Sequence, residues 1–458
     1  TVLRLCAAVE PAFIAKAAVY ARQRGYMKDM PALLTAWLAQ HGPDWLKPVF
    51  ARVIDNGRML RNFVQILRSG VVGRKSLGSR PKRLVQDWLN GRGDLQLLSA
   101  SIGNDPSLAD VLKMVHPKPA TPERAALYAY LLGKPHEAAL LPEVVKVLER
   151  FKTDTDADVP DVPFELLAAL PLQPQHWVAI ACQASWQMTR MNLNTFARHG
   201  VFKVGGMAQR IADRLRDPAA IRRARVFPHQ LLSAYSMTDE RVPEIVRDAL
   251  QDALDAALEN VPELTGLVYV LLDVSGSMAS PVTGHRKGAT SKIRCVDVAA
   301  LVAAAIAAKN PATEILPFDT QVHSLRLNRR DSVLTNARTL AQFGGGGTHC
   351  GLPLQQLNQR KAKGDLVIYV SDNESWADPQ RGRGAETMRQ WELFRQRNPQ
   401  ARLACIDLQP YATVQAQSRE DVLNVGGFSD AVFQVLTHFA AGRLSGEHWV
   451  REIETVEL

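Results

Sequence analysis

From Pro11 to about Pro262, apolar residues recur every three or four positions, in short stretches separated by proline and glycine. That spacing puts them on one face of a helix. It predicts helices over Ala12 to Arg24, Met30 to Gln40, Asp44 to Ile54, Met59 to Leu67, Lys82 to Leu89 and Leu108 to Val115. Phe63, Ile66 and Leu67 form one such stripe, and Thr121-Pro122-Glu123 reads as a helix start, with threonine as N-cap and proline in the first turn. Successive amphipathic hairpins of this size predict an α-solenoid of HEAT type with an irregular repeat.

The pattern changes after a helix expected over Val242 to Glu259. Strands are expected over Leu267 to Leu272, Thr313 to Phe318, Leu366 to Val370 and Arg402 to Ile406, with helices over Lys292 to Lys309 and Glu386 to Arg397 between them. Alternation of this kind is the signature of a doubly wound parallel sheet. The expected boundary lies near Asn260-Val261-Pro262-Glu263, giving a helical domain over 1–262 and an α/β domain over 263–458.

Composition narrows the class. With 458 residues, 46% hydrophobic and 22% charged, the chain has the makeup of a globular protein with two or three cores. No apolar run approaches the length needed to span a bilayer, which speaks against a membrane partner. No signal peptide is visible, and because the sequence opens at Thr1 without an initiator Met, a lost leader stays open. Cys6, Cys182, Cys295, Cys350 and Cys405 are scattered, with no Cys-x-x-Cys pair, a usage that fits a reducing cytoplasm. The net charge of +9 favours an anionic partner. It is concentrated: between Arg58 and Arg92 lie Arg58, Arg61, Arg68, Arg74, Lys75, Arg80, Lys82, Arg83 and Arg92, with Asp87 the only acid. A solvated helical face usually mixes signs, so this segment is a candidate phosphate-binding surface.

Candidate chemistry centres on Asp273-Val274-Ser275-Gly276-Ser277, at the end of the run Leu267 to Leu272. One carboxylate and two hydroxyls in a single tight loop are hard oxygen donors suited to Mg²⁺ or Mn²⁺. Thr348, after the run Gly344 to Gly347, and Asp372, after Leu366 to Ser371, stand on loops at expected strand ends, where open parallel sheets gather ligands. The bland alternative is a polar strand-end turn. Other chemistries fail on spacing. A haloacid-dehalogenase-type phosphatase needs a second Asp where Ser275 stands, and the glycine run precedes Thr348-His349 rather than a P-loop Lys-Ser/Thr pair. No Gly-x-Ser-x-Gly elbow or His-Glu-x-x-His occurs. No catalytic constellation is recognisable, so the expectation is a protein that is not an enzyme.

Asp273, Ser275, Ser277, Thr348 and Asp372 resemble the metal-ion-dependent adhesion site of von Willebrand factor A domains. A basic helical solenoid followed by such a domain resembles the Ro autoantigen family, its bacterial members included. Three further segments carry the likeness: Gly73 to Gly78 with Lys82 to Trp88, Asp110 to Pro119 with its His116-Pro117-Lys118-Pro119 turn, and Ala224 to Leu232. The resemblance implies an α-helical HEAT-like repeat ring, the TROVE module, followed by an α/β doubly wound, Rossmann-like von Willebrand factor A domain. It implies an RNA-binding scaffold in a ribonucleoprotein, monomeric and cytoplasmic, that takes small noncoding Y RNA and single-stranded 3′ ends of structured or misfolded RNA. An exoribonuclease such as polynucleotide phosphorylase is the implied protein partner, in RNA quality control or maturation. By the same resemblance Arg74, Lys75, Lys82, Arg83, His116 and Lys118 are RNA-binding. One departure is the absence of any basic residue from Ser99 to Pro106, where the family carries a basic stretch. His116 also reads as a helix C-terminal cap. Two rival functions remain at this level: an A-domain adaptor for an acidic protein ligand, and a Mg²⁺ phosphohydrolase.

Overall fold

A computed structural model of the chain describes residues 2–154, 156–224, 226, 228–261, 263–282, 293–328, 330–372, 385–409, 416–417, 419–427, 431–443 and 446–458. Pro262, Lys292, Arg225 and Phe227, which enter the expectations above, lie outside these. The N-terminal region is helical and is followed by a parallel α/β sheet. The expected helices form as Pro11–Gln23, Asp29–His41, Pro43–Val53, Gly57–Arg68, Ser79–Gly91 and Leu108–Val115. Their ends follow local chemistry. Asn56 accepts the Met59 N–H at 3.0 Å to start one helix, and Thr121 accepts that of Arg124 at 3.2 Å to start another. In the helix Gly57–Arg68, Met59, Leu60, Phe63, Val64 and Leu67 are buried as one stripe.

By packing, the chain divides into Thr1–Gln183 with Gly446–Leu458, and Ala184–Ser445. This differs from a division at residue 262, because a change in periodicity does not show which core each helix joins. The helices Pro228–Ser236 and Glu244–Ala257 pack on helices of the α/β region. The Gln251 side-chain amide donates to Ser332 Oγ at 3.3 Å, and the Arg338 guanidinium lies over the Tyr235 ring at 4.9 Å. The last helix, Gly446–Glu454, instead packs against Pro11–Gln23: Lys16 Nζ bonds Glu454 Oε2 at 2.6 Å, and Val456 is buried in the helical core.

The sheet comprises β1 (Val268–Asp273), β2 (Thr313–Phe318), β3 (Leu366–Ser371), β4 (Arg402–Asp407) and β5 (Val422–Gly426), all parallel in the order β2-β1-β3-β4-β5. This is the flavodoxin-type doubly wound order. β1 and β3 are buried along their whole length, as central parallel strands covered on both faces must be, which is why they read as unbroken apolar runs. The helix Cys295–Lys309 contacts β1, β2 and β3 and is buried almost all round, matching its alanine- and valine-rich sequence. On the opposite face Tyr269, Leu271, Tyr369, Leu403 and Cys405 pack with Leu354, Leu357, Trp391 and Phe394.

Candidate functional site

In this strand order the chain runs from β1 outward to β2 and then returns to β3 on the other side of β1. Ligands gather at such a reversal, outside the carboxyl ends of the strands. Asp273 ends β1 and Asp372 follows β3, so the two carboxylates expected to bind metal flank that crevice. Both are buried, at 0% and 3% exposure. Asp273 Oδ1 accepts the Ser275 N–H at 2.8 Å, and its Oδ2 accepts the Ser371 hydroxyl at 2.7 Å. These bonds fix the carboxylate and curl the loop so that Ser275 Oγ and Ser277 Oγ stand 3.2 Å apart. The Gly276 N–H donates to the Gly346 carbonyl at 2.9 Å, tying this loop to the one that carries Thr348, itself 1% exposed. Gly344 permits the close passage: its φ is 145°, and a Cβ there would stand 2.8 Å from the Val274 carbonyl oxygen.

The backbone thus sets the Asp273–Ser277 loop against the loop that carries Thr348, with Asp372 at the end of the neighbouring strand. The donor set fits a hard divalent ion: two carboxylates and three hydroxyls, without thiolate or imidazole. Among the described residues no three His, Cys, Asp or Glu side chains gather at metal-ligand spacing, so hydroxyl oxygens must complete any coordination shell. Electrostatics point the same way. Burial, with a further push from Asp372, raises the Asp273 carboxyl to about 6 against the pull of its hydrogen bonds to Ser275 and Ser371. A cation in the crevice reverses this penalty by favouring the charged forms.

Two acidic residues at this edge were missed by the motif reading. Asp319, just past β2, is buried, accepts the Gln321 N–H at 3.0 Å, and lies 3.2 Å from His323 Nε2. Its carbonyl accepts the His349 N–H at 3.0 Å, which anchors the Thr348 loop from the other side. Asp407 ends β4 beside Ser371, and burial followed by the Asp372 charge raises its carboxyl to about 7. The signal was available: an aspartate closes or directly follows four of the five strands, at 273, 319, 372 and 407.

The candidate RNA residues lie in the first unit. The helix Ser79–Gly91 buries Pro81, Val85, Trp88 and Leu89, and the Trp88 indole N–H donates to the Ile54 carbonyl at 2.7 Å. A neighbouring stripe holds Lys82, Gln86 and Asn90 at intervals of four, with Arg83 three residues before Gln86. Gln86 donates to the Val115 carbonyl at 2.6 Å and Asn90 to that of Lys118 at 3.1 Å, so this stripe grips the turn carrying His116 and Lys118. The helix before the turn starts with a capping box. Ser107 Oγ accepts the Asp110 N–H at 3.1 Å, while the Asp110 carboxylate, which these hydrogen bonds hold below the usual range, accepts the Ser107 N–H at 3.0 Å.

His116 ends that helix in the left-handed conformation, φ 49° and ψ 63°, its N–H donating to Leu112 O at 2.9 Å. The capping reading thus describes its backbone, while its ring is exposed. Lys82, Arg83 and Lys118 make no ion pair among the described residues, and Lys75, in the loop before the helix, is likewise free and exposed. Arg74 is different: it is half-buried, and its guanidinium donates to the carbonyls of Ser76 at 3.0 Å and Ala39 at 3.4 Å, so it braces its own loop.

Known proteins match both regions. Residues 268–440 match the family model of the Ro60 vWA domain. A protein named RNA-binding protein RO60 from Deinococcus radiodurans is 28% identical over 366 residues, 74% of this chain and 66% of that protein. One of the same name from Caenorhabditis elegans is 26% identical over 249 residues, 51% of this chain and 37% of that protein. The matched stretch spans less than two thirds of either relative's length. The crystal structure of the Deinococcus radiodurans RO (RSR) protein superposes with a TM-score of 0.68 at 22% identity, covering 93% of this chain and 91% of that one, and so shares its fold. With a helical N-terminal region followed by a parallel α/β sheet, the chain is similar to Ro proteins, and its residues 268–440 match the Ro60 vWA domain.

Proposed function

We propose that this chain is a non-enzymatic RNA-binding scaffold of a ribonucleoprotein. It takes small noncoding Y RNA and the single-stranded 3′ ends of structured or misfolded RNA, in quality control or maturation beside an exoribonuclease such as polynucleotide phosphorylase. The observation that carries this reading is the grouping of Lys82, Arg83, His116 and Lys118 along one helix stripe and the turn it grips, with the three cations free of acidic partners among the described residues. Unpaired cations recognise phosphate without sequence, and an exposed imidazole stacks on unpaired bases. The names of the two relatives support RNA as the ligand. Five cysteines without a disulfide support a cytoplasmic setting, and no described helix is long and apolar enough to cross a membrane.

In the α/β region Asp273, Ser275, Ser277, Thr348 and Asp372 are the proposed ligands of Mg²⁺ or Mn²⁺. When bound, the ion offers a Lewis-acidic position to an oxygen ligand. The protein's part is to hold two carboxylates and three hydroxyls in register through Ser371 and the Gly276–Gly346 bond. The test of the RNA reading is a competition between one RNA helix bearing an unpaired 3′ tail and the same helix with a blunt end. The tailed RNA is expected to win; equal competition refutes the preference for single-stranded ends.

A further inference from the structure

Asp407 belongs to no part of the five-residue oxygen set, yet its position demands a partner. It is 3% exposed, and its Oδ1 accepts no hydrogen bond from the described residues. A buried carboxylate without a compensating donor or cation is among the most costly arrangements a core can hold, and such groups in folded proteins mark a bound ion, water or functional role. Strand register fixes where it points. β3 pairs with β4 so that Ser371 lies opposite Asp407, and β1 pairs with β3 so that Leu272 lies opposite Val370. Laterally paired residues of a parallel sheet share a face. Asp273, Ser371 and Asp407 therefore form one row across β1, β3 and β4, and the Ser371 hydroxyl already donates to Asp273 along that row.

Below this row the same face is wholly apolar, formed by Tyr269, Leu271, Tyr369 and Cys405. The polar row is thus the rim of the sheet at the switch point, and Asp372 is near enough for its charge to act on both Asp273 and Asp407. Among the described residues no three His, Cys, Asp or Glu side chains form a group that could hold a metal ion, so the three carboxylates do not make one inner coordination shell. That leaves Asp407 one layer out. Mg²⁺ and its analogues keep several waters, and carboxylates beyond the inner ligands accept hydrogen bonds from those waters.

We propose that Asp407 is an outer carboxylate of the metal centre, held by the β3–β4 pairing to accept a hydrogen bond from a water on the ion bound by Asp273 and Asp372. This rests on the metal reading above and adds a consequence for specificity. Three carboxylates around one divalent ion give the centre a net charge of −1. Its exchangeable position then favours a neutral oxygen, such as water, a hydroxyl or a carbonyl, over the carboxylate of an acidic protein.

Calorimetry with Mn²⁺ on the full chain tests this, comparing wild type, Asp407→Asn and Asp407→Ser. Loss of an outer carboxylate is expected to weaken Mn²⁺ binding about 10- to 100-fold. In EDTA both variants should melt no lower than wild type, because a buried acid has been removed, and the Mn²⁺-induced rise in Tm should shrink. Acetate added to the wild-type Mn²⁺ complex should leave its electron paramagnetic resonance spectrum unchanged. Mn²⁺ affinity equal to wild type in both variants overturns the role of Asp407 and leaves the five-residue site standing. Absence of Mn²⁺ binding by the wild type overturns both. An acetate-dependent spectrum overturns the charge argument.

Discussion

Replacing His116 with glycine separates the two roles its position combines. The backbone there is left-handed, and the ring is exposed. A left-handed conformation costs an L-residue roughly 1–2 kcal/mol, which glycine avoids. Glycine also loosens the unfolded chain, at a cost of roughly 0.4–1 kcal/mol. The balance is a gain of roughly 0–1.6 kcal/mol, since the Leu112 and Gln86 hydrogen bonds at this turn involve only the His116 backbone. The thermal midpoint of His116→Gly should therefore stay level or rise slightly. RNA binding should move the other way: loss of one base stack removes roughly 1–3 kcal/mol, or about 5- to 150-fold, from the preference for tailed over blunt RNA. The assay pairs a thermal melt with the tailed-against-blunt competition at fixed salt. A markedly lower midpoint refutes the left-handed cap. A level midpoint with unchanged tail preference refutes the stacking role and leaves His116 as a cap alone.

Asp273→Ala should abolish Mg²⁺ and Mn²⁺ binding by calorimetry while circular dichroism shows the sheet retained and RNA affinity is unchanged, because the candidate RNA residues lie in the other packed unit; equal ion affinity in variant and wild type contradicts the assignment. His229 yields a pH prediction. Burial, with the Arg190 charge beside it, lowers its imidazole from the usual 6.5 to about 4, so between those values the unfolded chain binds the extra proton. Stability then rises with pH across that window and is lost as pH falls from 6.5 towards 4. His229→Gln should flatten this part of a melting-temperature profile, and an unchanged slope in the variant shows that other groups dominate it.

Legibility in the sequence tracked how completely an element is buried or capped. β1 and β3 were found almost to the residue because both faces are covered, and the helix Leu108–Val115 was found to the residue because Ser107 and Asp110 close its start. β5 escaped because it is a short edge strand, half-exposed and ending in glycine, with neither an apolar run nor a clean alternation. The last helix could not be assigned to its core from sequence: Lys16 and Glu454 are 438 residues apart, and nothing local to either announces the pairing. At the Asp273–Ser277 loop, ligand types and strand ends were readable, but the row that joins Asp273, Ser371 and Asp407 emerges only from strand register. Among the basic residues, composition could not distinguish Arg74, spent on the carbonyls of Ser76 and Ala39, from Lys82, Arg83 and Lys118, which are free of ion pairs among the described residues.

That distinction supplies the most direct measurement: the salt dependence of single-stranded RNA binding by wild type and by a variant with Lys75, Lys82, Arg83 and Lys118 each changed to Gln. Every phosphate that a substitution leaves without its cation should reduce the slope of log affinity against log salt by about 0.7, so the four together lower it by up to about 2.8. The weakening should be similar for unrelated RNA sequences, and Arg74→Gln alone should disturb stability more than slope. An unchanged salt slope in the fourfold variant, with the fold intact, contradicts the account and moves the RNA surface away from the helix Ser79–Gly91 and the turn it holds.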